Sequence, residues 1–492
     1  MFIQRLNKGF PYQLIIFTLQ FFPLLNSSFL TFIKISTERK SNLVYRVRLK
    51  YHKGTIIVDG NLYLPYFSYD PRIRAYRALA CYYDQIKRYL DENRIDYEDR
   101  VLDLLPFPYI SSKVELRPYQ EEALKAWMRA GKKGVIVLPT GAGKTVIGIK
   151  AIEVVNAPSL IVVPTLELLN QWREVLEREF GVEVGVIGGG KQELKPITVI
   201  TYDSAYLKAE WLGNKFSLLI FDEAHHLPSH GYRQIAELSA APYRLGLTAT
   251  IEREDGLHVD LPRLVGEKVY EVKPRDLAGR YLADYEVERI KVDLTPEEKE
   301  EYKKYWSVYT NYLKNRNLKM RSLEDFERFL TIASYDKEGR EALLARHRAL
   351  KIALNSEAKL TLLAQLLKMY RGYKTIIFTQ HNELVHRIAN RFLIPFITHK
   401  TSKEERREIL RGFKEGRYTR IVTSKVLDEG VDVPDASLGI IISGTGSRRE
   451  FIQRLGRLLR PKEGKKAKLI EIVSVETKEL QLSYKRHRGR SI

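Results

Sequence analysis

Gly134-Val-Ile-Val-Leu-Pro-Thr-Gly-Ala-Gly-Lys-Thr145 decides how this chain is read. Gly134 to Leu138 read as a short buried strand, Pro139 to Gly143 as a glycine-bearing turn, and Lys144 to Val155 as a helix. A helix N-terminus offers unpaired backbone N–H groups and the positive end of a dipole, and so holds phosphate. Gly141 and Gly143 let the backbone curl close to a ligand where a Cβ would clash, and Thr140 and Ala142 complete the cradle. Lys144 is placed to reach the β and γ phosphates, and the Thr145 hydroxyl to ligate Mg²⁺. The strict phosphate-loop pattern has Gly at its first position, where this chain has Leu138. A plain glycine turn between strand and helix is therefore the alternative reading.

A second apolar run, Phe216 to Phe221, ends in Asp222-Glu-Ala-His225, about 78 residues after Lys144. Asp222 is placed to hold Mg²⁺, and Glu223 to orient and deprotonate an attacking water. Two acids in a solvated loop are the bland alternative. Further on, Gln453-Arg-Leu-Gly-Arg-Leu-Leu-Arg460 repeats arginines at helical spacing. Arg457 and Arg460, three apart, share one face and are candidates for the arginine fingers that neutralise a transferring phosphoryl group.

These runs stand in an ordered series. RPYQ occupies 117–120, PTGAGKT 139–145, VVPTLELLNQW 162–172, TYDS 201–204, DEAH 222–225 and TAT 248–250. IIFTQ at 376–380, SKVLDEGVDVP at 424–434 and QRLGRLLR at 453–460 complete it. The set resembles a superfamily-two helicase of the DEAH-box type across roughly residues 115–475. Arg253-Glu254-Asp255 just after TAT resembles the RED motif of the XPB branch, and the helical segment near 298–350 resembles its thumb. The chain is thus similar to XPB-like DNA helicases of archaeal kind.

The resemblance implies an α/β fold: two RecA-like parallel-sheet lobes, a small N-terminal α+β module and a helical thumb insertion. It divides the chain into an apolar extension at 1–42, a damage-recognition-like module at 43–110, lobe one at 113–270 and lobe two at 271–492, with the thumb at 298–350. It implies a DNA-dependent ATPase moving 3′-to-5′ in repair or transcription, with ATP and Mg²⁺. Its implied partners are DNA and repair or transcription proteins, a structure-specific nuclease among them. An RNA helicase or chromatin-type translocase is one rival, and an ATP-switched DNA-binding protein another.

The same resemblance suggests further roles. Gln120 in RPYQ would read the adenine edge through its amide. Glu429, Gly430 and Asp432 would meet the nucleotide ribose and the lobe interface. His225, Thr248, Thr250 and Gln453 would couple hydrolysis to movement, although Thr248 and Thr250 read equally well as a strand-end turn. Thr165, Thr201, Thr379, Thr423 and Ser424 stand at strand ends and are candidates for the nucleic-acid backbone, as are Arg253, Glu254 and Asp255. Those last three read equally well as a solvated charge cluster. A zinc site at His225 and His226 lacks ligands, with only His230 nearby.

Composition agrees with a polyanion partner. Lys and Arg number 82 against 61 Asp and Glu, a net charge of +21. The one cysteine, Cys81, excludes an intrachain disulfide and a cysteine zinc site, and fits a reducing cytoplasm. Residues 9–33 carry no charge between Lys8 and Lys34. A membrane anchor, a buried N-terminal element and an upstream extension from a misassigned start codon all fit this stretch. The last is favoured, because the family resemblance begins near Leu43.

From Leu43 a period of two predicts a strand, and Gly54 to Asp59 a second strand forming a hairpin with it. Pro71 to about Arg94 reads as a helix rich in Tyr and Arg, and Leu104 to Ser112, with Pro106 and Pro108, as a linker. In the thumb, Tyr302, Tyr305, Trp306, Tyr309 and Tyr312 recur at helical spacing. Such a stripe is ordinarily core. The six basic and no acidic residues from Lys303 to Arg321 suggest that the segment also grips a strand. Lys485 to Arg490 reads as a basic tail.

Overall fold

The computed structural model describes residues 47–59, 64–253, 255–424, 436–444, 451, 456 and 466–487. The 1–42 extension, Glu254, Glu429, Gly430, Asp432, Gln453, Arg457, Arg460 and the end of the basic tail lie outside them. No helix of the described residues is long and apolar enough to cross a membrane.

The N-terminal module is a five-stranded sheet in the order Ser68–Asp70, Ala75–Leu79, Thr55–Asp59, Val47–His52, Tyr97–Arg100. The expected hairpin is present, with Lys53 and Gly54 turning at positive φ between its strands. The expected helix from Pro71 to Arg94 is not. Ala75–Leu79 instead pairs antiparallel with Thr55–Val58, and the helix runs only over Tyr83–Glu92. A helical period and a strand period fit a run this short about equally, and a neighbouring strand with a free edge decided it. Arg77 within that strand reaches Asp70 at 2.9 Å, so its charge is satisfied on the sheet.

The module rests directly on the first lobe. The Tyr51 hydroxyl donates to the Glu210 and Leu238 carbonyls at 2.8 and 3.0 Å. Lys133 pairs with Asp84 at 2.8 Å, and Asn214 donates to the Val101 carbonyl. Gly213 makes this approach possible: a Cβ there would lie 2.1 Å from the Tyr51 hydroxyl. Gly213→Ala should therefore loosen the module, read as faster proteolytic cleavage in the segment around residues 101–112, whereas an unchanged cleavage rate would refute the contact's importance.

Lobe one is an eight-stranded sheet. Its order is Lys268–Glu271, Lys133–Val137, Tyr243–Thr248, Leu218–Asp222, Ser159–Val163, Ile197–Thr201, Gly185–Gly188, Lys191–Glu193. All pairings are parallel except the last hairpin. Val135, Ile136, Val137, Ile161, Val162, Ile220 and Phe221 are all buried, as continuous apolar runs covered on both faces must be. The edge strand Lys268–Glu271 belongs to this sheet, and the second sheet starts at Asp284–Val292. That second sheet has six strands, all parallel, ordered Asp284–Val292, Lys466–Ser474, Leu438–Ile441, Thr375–Phe378, Arg420–Thr423, Phe396–Ile397. The chain thus builds two RecA-like α/β lobes.

Between the first and second strands of lobe two in chain order stand four helices, Pro296–Asn315, Leu323–Tyr335, Lys337–Leu354 and Glu357–Met369. Thr295 with Glu298, and Ser322 with Asp325, cap the first two with reciprocal hydrogen bonds. The aromatic stripe forms the thumb's core: Tyr302, Tyr309 and Tyr312 are buried, Trp306 stacks on Tyr302, and Phe329 meets Tyr309 edge-on. Lys303, Lys304, Lys314, Arg316, Lys319 and Arg321 of the same segment are exposed. Core stripe and solvated basic face coexist on one segment.

Candidate nucleotide site and nucleic-acid interface

The phosphate loop joins the strand Lys133–Val137 to the helix Lys144–Val155. Gly141 and Gly143 adopt φ of 84° and 76°, the left-handed region open to glycine. Two ties hold the loop. The Tyr119 hydroxyl donates to the Ala142 carbonyl at 2.8 Å, and the Gln120 amide nitrogen donates to the same carbonyl at 2.9 Å. The other end of the Gln120 amide accepts from Arg117 N at 2.9 Å. Gln120 is 3% exposed, so in this structure its amide is engaged with protein at both ends. These bonds brace the phosphate loop. The Gln120 helix starts at Pro118, and a capping position three residues beyond Arg117 turns the side chain back onto the chain.

Lys144 faces the acid pair, with its ammonium 3.5 Å from Glu223 Oε1. Asp222 ends its strand and is buried. Its Oδ2 accepts from Trp172 Nε1 at 2.8 Å, and its Oδ1 from Glu223 N at 3.0 Å. Burial, together with the neighbouring Glu223 carboxylate, pushes the Asp222 pKa up to about 6. Glu223 has φ 48°, a left-handed conformation uncommon outside glycine, and such strain gathers at functional positions.

The donor set fits a magnesium-bound triphosphate. The buried Thr140 hydroxyl and Lys144 ammonium have no hydrogen-bond partner among the described residues, which marks polar groups awaiting a ligand. Asp222 and Thr145 are the oxygen donors a hard cation takes.

Behind the acid pair lies a second hydrogen-bonded group. His225 is wholly buried and shares a 3.0 Å hydrogen bond with the Thr248 hydroxyl, which donates to the Thr250 carbonyl at 2.7 Å. Arg253 donates to the His225 carbonyl at 2.6 Å and grips Asp255 with two further N–H groups. That guanidinium holds the Asp255 carboxyl down to about 2. Arg253 and Asp255 thus brace the acid-pair loop.

The threonines at strand ends divide in two. Thr165 and Thr201 cap the helices Leu166–Phe180 and Tyr202–Leu207, accepting from Leu168 N and Ser204 N. Thr379 and Thr423 are fully buried and donate to the His381 and Ser424 carbonyls, and Ser424 is 5% exposed. Two of these three hydroxyls are thus taken up by backbone.

Lobe two reaches the loop through Gly456. A Cβ there would lie 2.2 Å from the Thr140 Cβ, so backbone of the late motif lies directly against the phosphate loop. Arg406 of lobe two also approaches Glu167 of lobe one at 4.0 Å. Gly456→Ala should hold the lobes apart and cut kcat by about 10²-fold, the effect of an ångström of misplacement. A steady-state assay returning the native kcat would refute this. Sequence reasoning overlooked Trp172, Tyr202 and Gly456 as site residues, although each lies inside a quoted motif.

Phosphate loop, acid pair and a second lobe closing on them define a two-lobed nucleotide-driven motor of the helicase type. Three family descriptions match: "Type III restriction enzyme, res subunit" over 113–253, "ERCC3/RAD25/XPB C-terminal helicase" over 337–489, and "Xeroderma pigmentosum group B helicase damage recognition domain" over 49–101. The "DNA 3'-5' translocase XPB2" of Sulfurisphaera tokodaii is 50% identical over 440 residues, covering 89% of this chain and 99% of that protein. The "General transcription and DNA repair factor IIH helicase/translocase subunit XPB" of Drosophila melanogaster is 30% identical over 400 residues, 76% of this chain but 46% of the fly protein. The helicase domain of Pyrococcus furiosus Hef has the same fold, with a TM-score of 0.50, 20% identity, and coverage of 75% of this chain and 97% of that one. The chain belongs to the XPB family of helicases.

Proposed function

We propose that the protein is an ATP-driven DNA translocase or helicase moving 3′-to-5′, serving repair or transcription in the cytoplasm. One observation carries the reading: Gly456 of lobe two lies against Thr140 of the phosphate loop, whose Lys144 faces Glu223, so hydrolysis is completed across two bodies. The archaeal relative's name supports both the DNA substrate and the direction, and the fly relative's name supports repair or transcription. The N-terminal module at 43–110, lobes at 113–270 and 271–492, and thumb at 298–350 are the working parts.

ATP is the substrate. Thr140 to Thr145 cradle its phosphates, and Lys144 holds the β and γ oxygens. Thr145 and Asp222 would hold Mg²⁺, which neutralises phosphate charge when bound. Glu223 orients the attacking water and takes its proton. Arg457 and Arg460 act as fingers from the second lobe, and Glu429, Gly430 and Asp432 close on the ribose side. His225, Thr248, Thr250 and Gln453 carry the state of the phosphate site to the lobe interface. Because the groups stand on both lobes, turnover requires closure, and each closure alternates the grip on DNA. The exposed basic face of the thumb supplies part of that grip. Repair or transcription proteins, including a structure-specific nuclease, are the proposed partners.

ATPase rates on single-stranded, duplex, forked and bubble DNA and on RNA test the reading. DNA should stimulate turnover well above RNA; equal stimulation by RNA, or nucleotide binding without turnover on any nucleic acid, would reject it.

A further inference from the structure

Two hydrogen bonds converge on Asp222 from two helices that open at strand ends. The first comes from Trp172, two turns into the helix capped by Thr165, whose indole N–H reaches the Asp222 carboxylate at 2.8 Å. The second comes from Tyr202, the first residue of the helix capped by Thr201, whose hydroxyl donates to the Asp222 backbone carbonyl at 3.1 Å. Trp172 is 1%, Tyr202 2% and Asp222 5% exposed, so water cannot replace either donor. The indole has a slot made for it. Gly148 of the phosphate-loop helix leaves room where a Cβ would lie 2.5 Å from the ring. Carboxylate and backbone of one residue are thus each held by a different helix, and both helices start beside a candidate backbone-contact threonine.

We infer that Trp172 and Tyr202 are positioning residues that aim Asp222 for its metal and carry engagement of the strand to it. The inference rests on the motor reading above. When a strand seats at the two helix starts, any shift of either helix moves one of the two donors, and Asp222 turns with it. Neither residue touches nucleotide. Their effect is on how tightly the metal-bearing nucleotide is held, and on how much DNA improves that hold.

The test uses the full chain with Trp172→Phe, Tyr202→Phe and the double variant, each of which keeps the ring and removes a donor. The Mg²⁺ half-saturation is measured twice, from Mg²⁺-dependent binding of a fluorescent nucleotide and from ATPase rate, with and without DNA. Trp172→Phe should raise the half-saturation about tenfold in both, the scale of a lost hydrogen bond to a charged group. Tyr202→Phe should erase most of the improvement that DNA brings in the native protein. A merely structural role would lower the melting temperature and leave the Mg²⁺ dependence in place. Variants that melt like the native chain and keep its Mg²⁺ half-saturation overturn the inference. If Trp172→Phe does not fold, Gly148→Ala, which displaces the indole, decides it: the same rightward shift supports the inference and a native half-saturation overturns it. A native protein whose turnover ignores DNA would sink the motor reading, and the nucleotide-binding measurement would still settle the role of Trp172.

Discussion

Lys144→Ala abolishes DNA-stimulated ATP hydrolysis and leaves DNA binding intact: that is the result expected for the largest effect on activity. The Lys144 side chain is 11% exposed and stands 3.5 Å from Glu223, and its charge partly offsets the rise that burial and Glu223 impose on the Asp222 pKa. Removing it leaves two neighbouring acids without that counter-charge, and deprives the transferring phosphoryl group of a preorganised cation. Loss of one such stabiliser lowers kcat by about 10²–10³-fold. The basic thumb residues remain exposed and unaffected, so the affinity for DNA should persist. Steady-state ATPase assays with and without DNA, paired with fluorescence anisotropy of labelled DNA, read both halves. Native turnover in the variant would refute the assignment of the phosphate loop.

The largest effect on stability lies far from the nucleotide. Lys359 and Glu479 are each wholly buried in lobe two. The Lys359 ammonium donates to both Glu479 oxygens at 2.6 Å and to the Ile442 carbonyl at 2.8 Å, while Glu479 also accepts from Ser474 N. Lys359→Met strands a carboxylate in an apolar interior, which costs about 3–5 kcal/mol. The double variant Lys359→Met with Glu479→Leu should recover most of that, because a well-packed apolar pair is often as stable as a buried ion pair. Hydrogen exchange of the strand Lys466–Ser474 follows the loss in this lobe separately. Exchange in the single variant at the native rate would show that the pair contributes nothing.

Short-range chemistry was readable from the amino acids. The phosphate-loop helix runs from Lys144 to Val155, as its glycines and the left-handed Asn156 after it dictate. Thr375–Phe378 is likewise a strand because a short β-branched and apolar run in a parallel sheet has few other fates. What escaped reading depends on partners distant in the chain. Ala75–Leu79 became a strand because Thr55–Val58 was there to pair with. Lys359 looks like a solvated helix lysine until Glu479, 120 residues on, is brought to it. Trp172 belongs to a quoted motif, yet its tie to Asp222 exists only because the strand Ser159–Val163, which leads into its helix, pairs with the strand that Asp222 ends. The bonds that Gln120 and Arg253 make within the protein were not legible either, since motifs record which residues matter and not which atoms they touch. Thr379 and Thr423 illustrate the same gap: a strand end says where the backbone goes, while the hydroxyl finds the nearest carbonyl.

The seating of Tyr51 between the Glu210 and Leu238 carbonyls has a mechanical corollary. A part fastened to one half of an engine travels with that half. The N-terminal sheet therefore keeps a constant offset from the phosphate loop of lobe one.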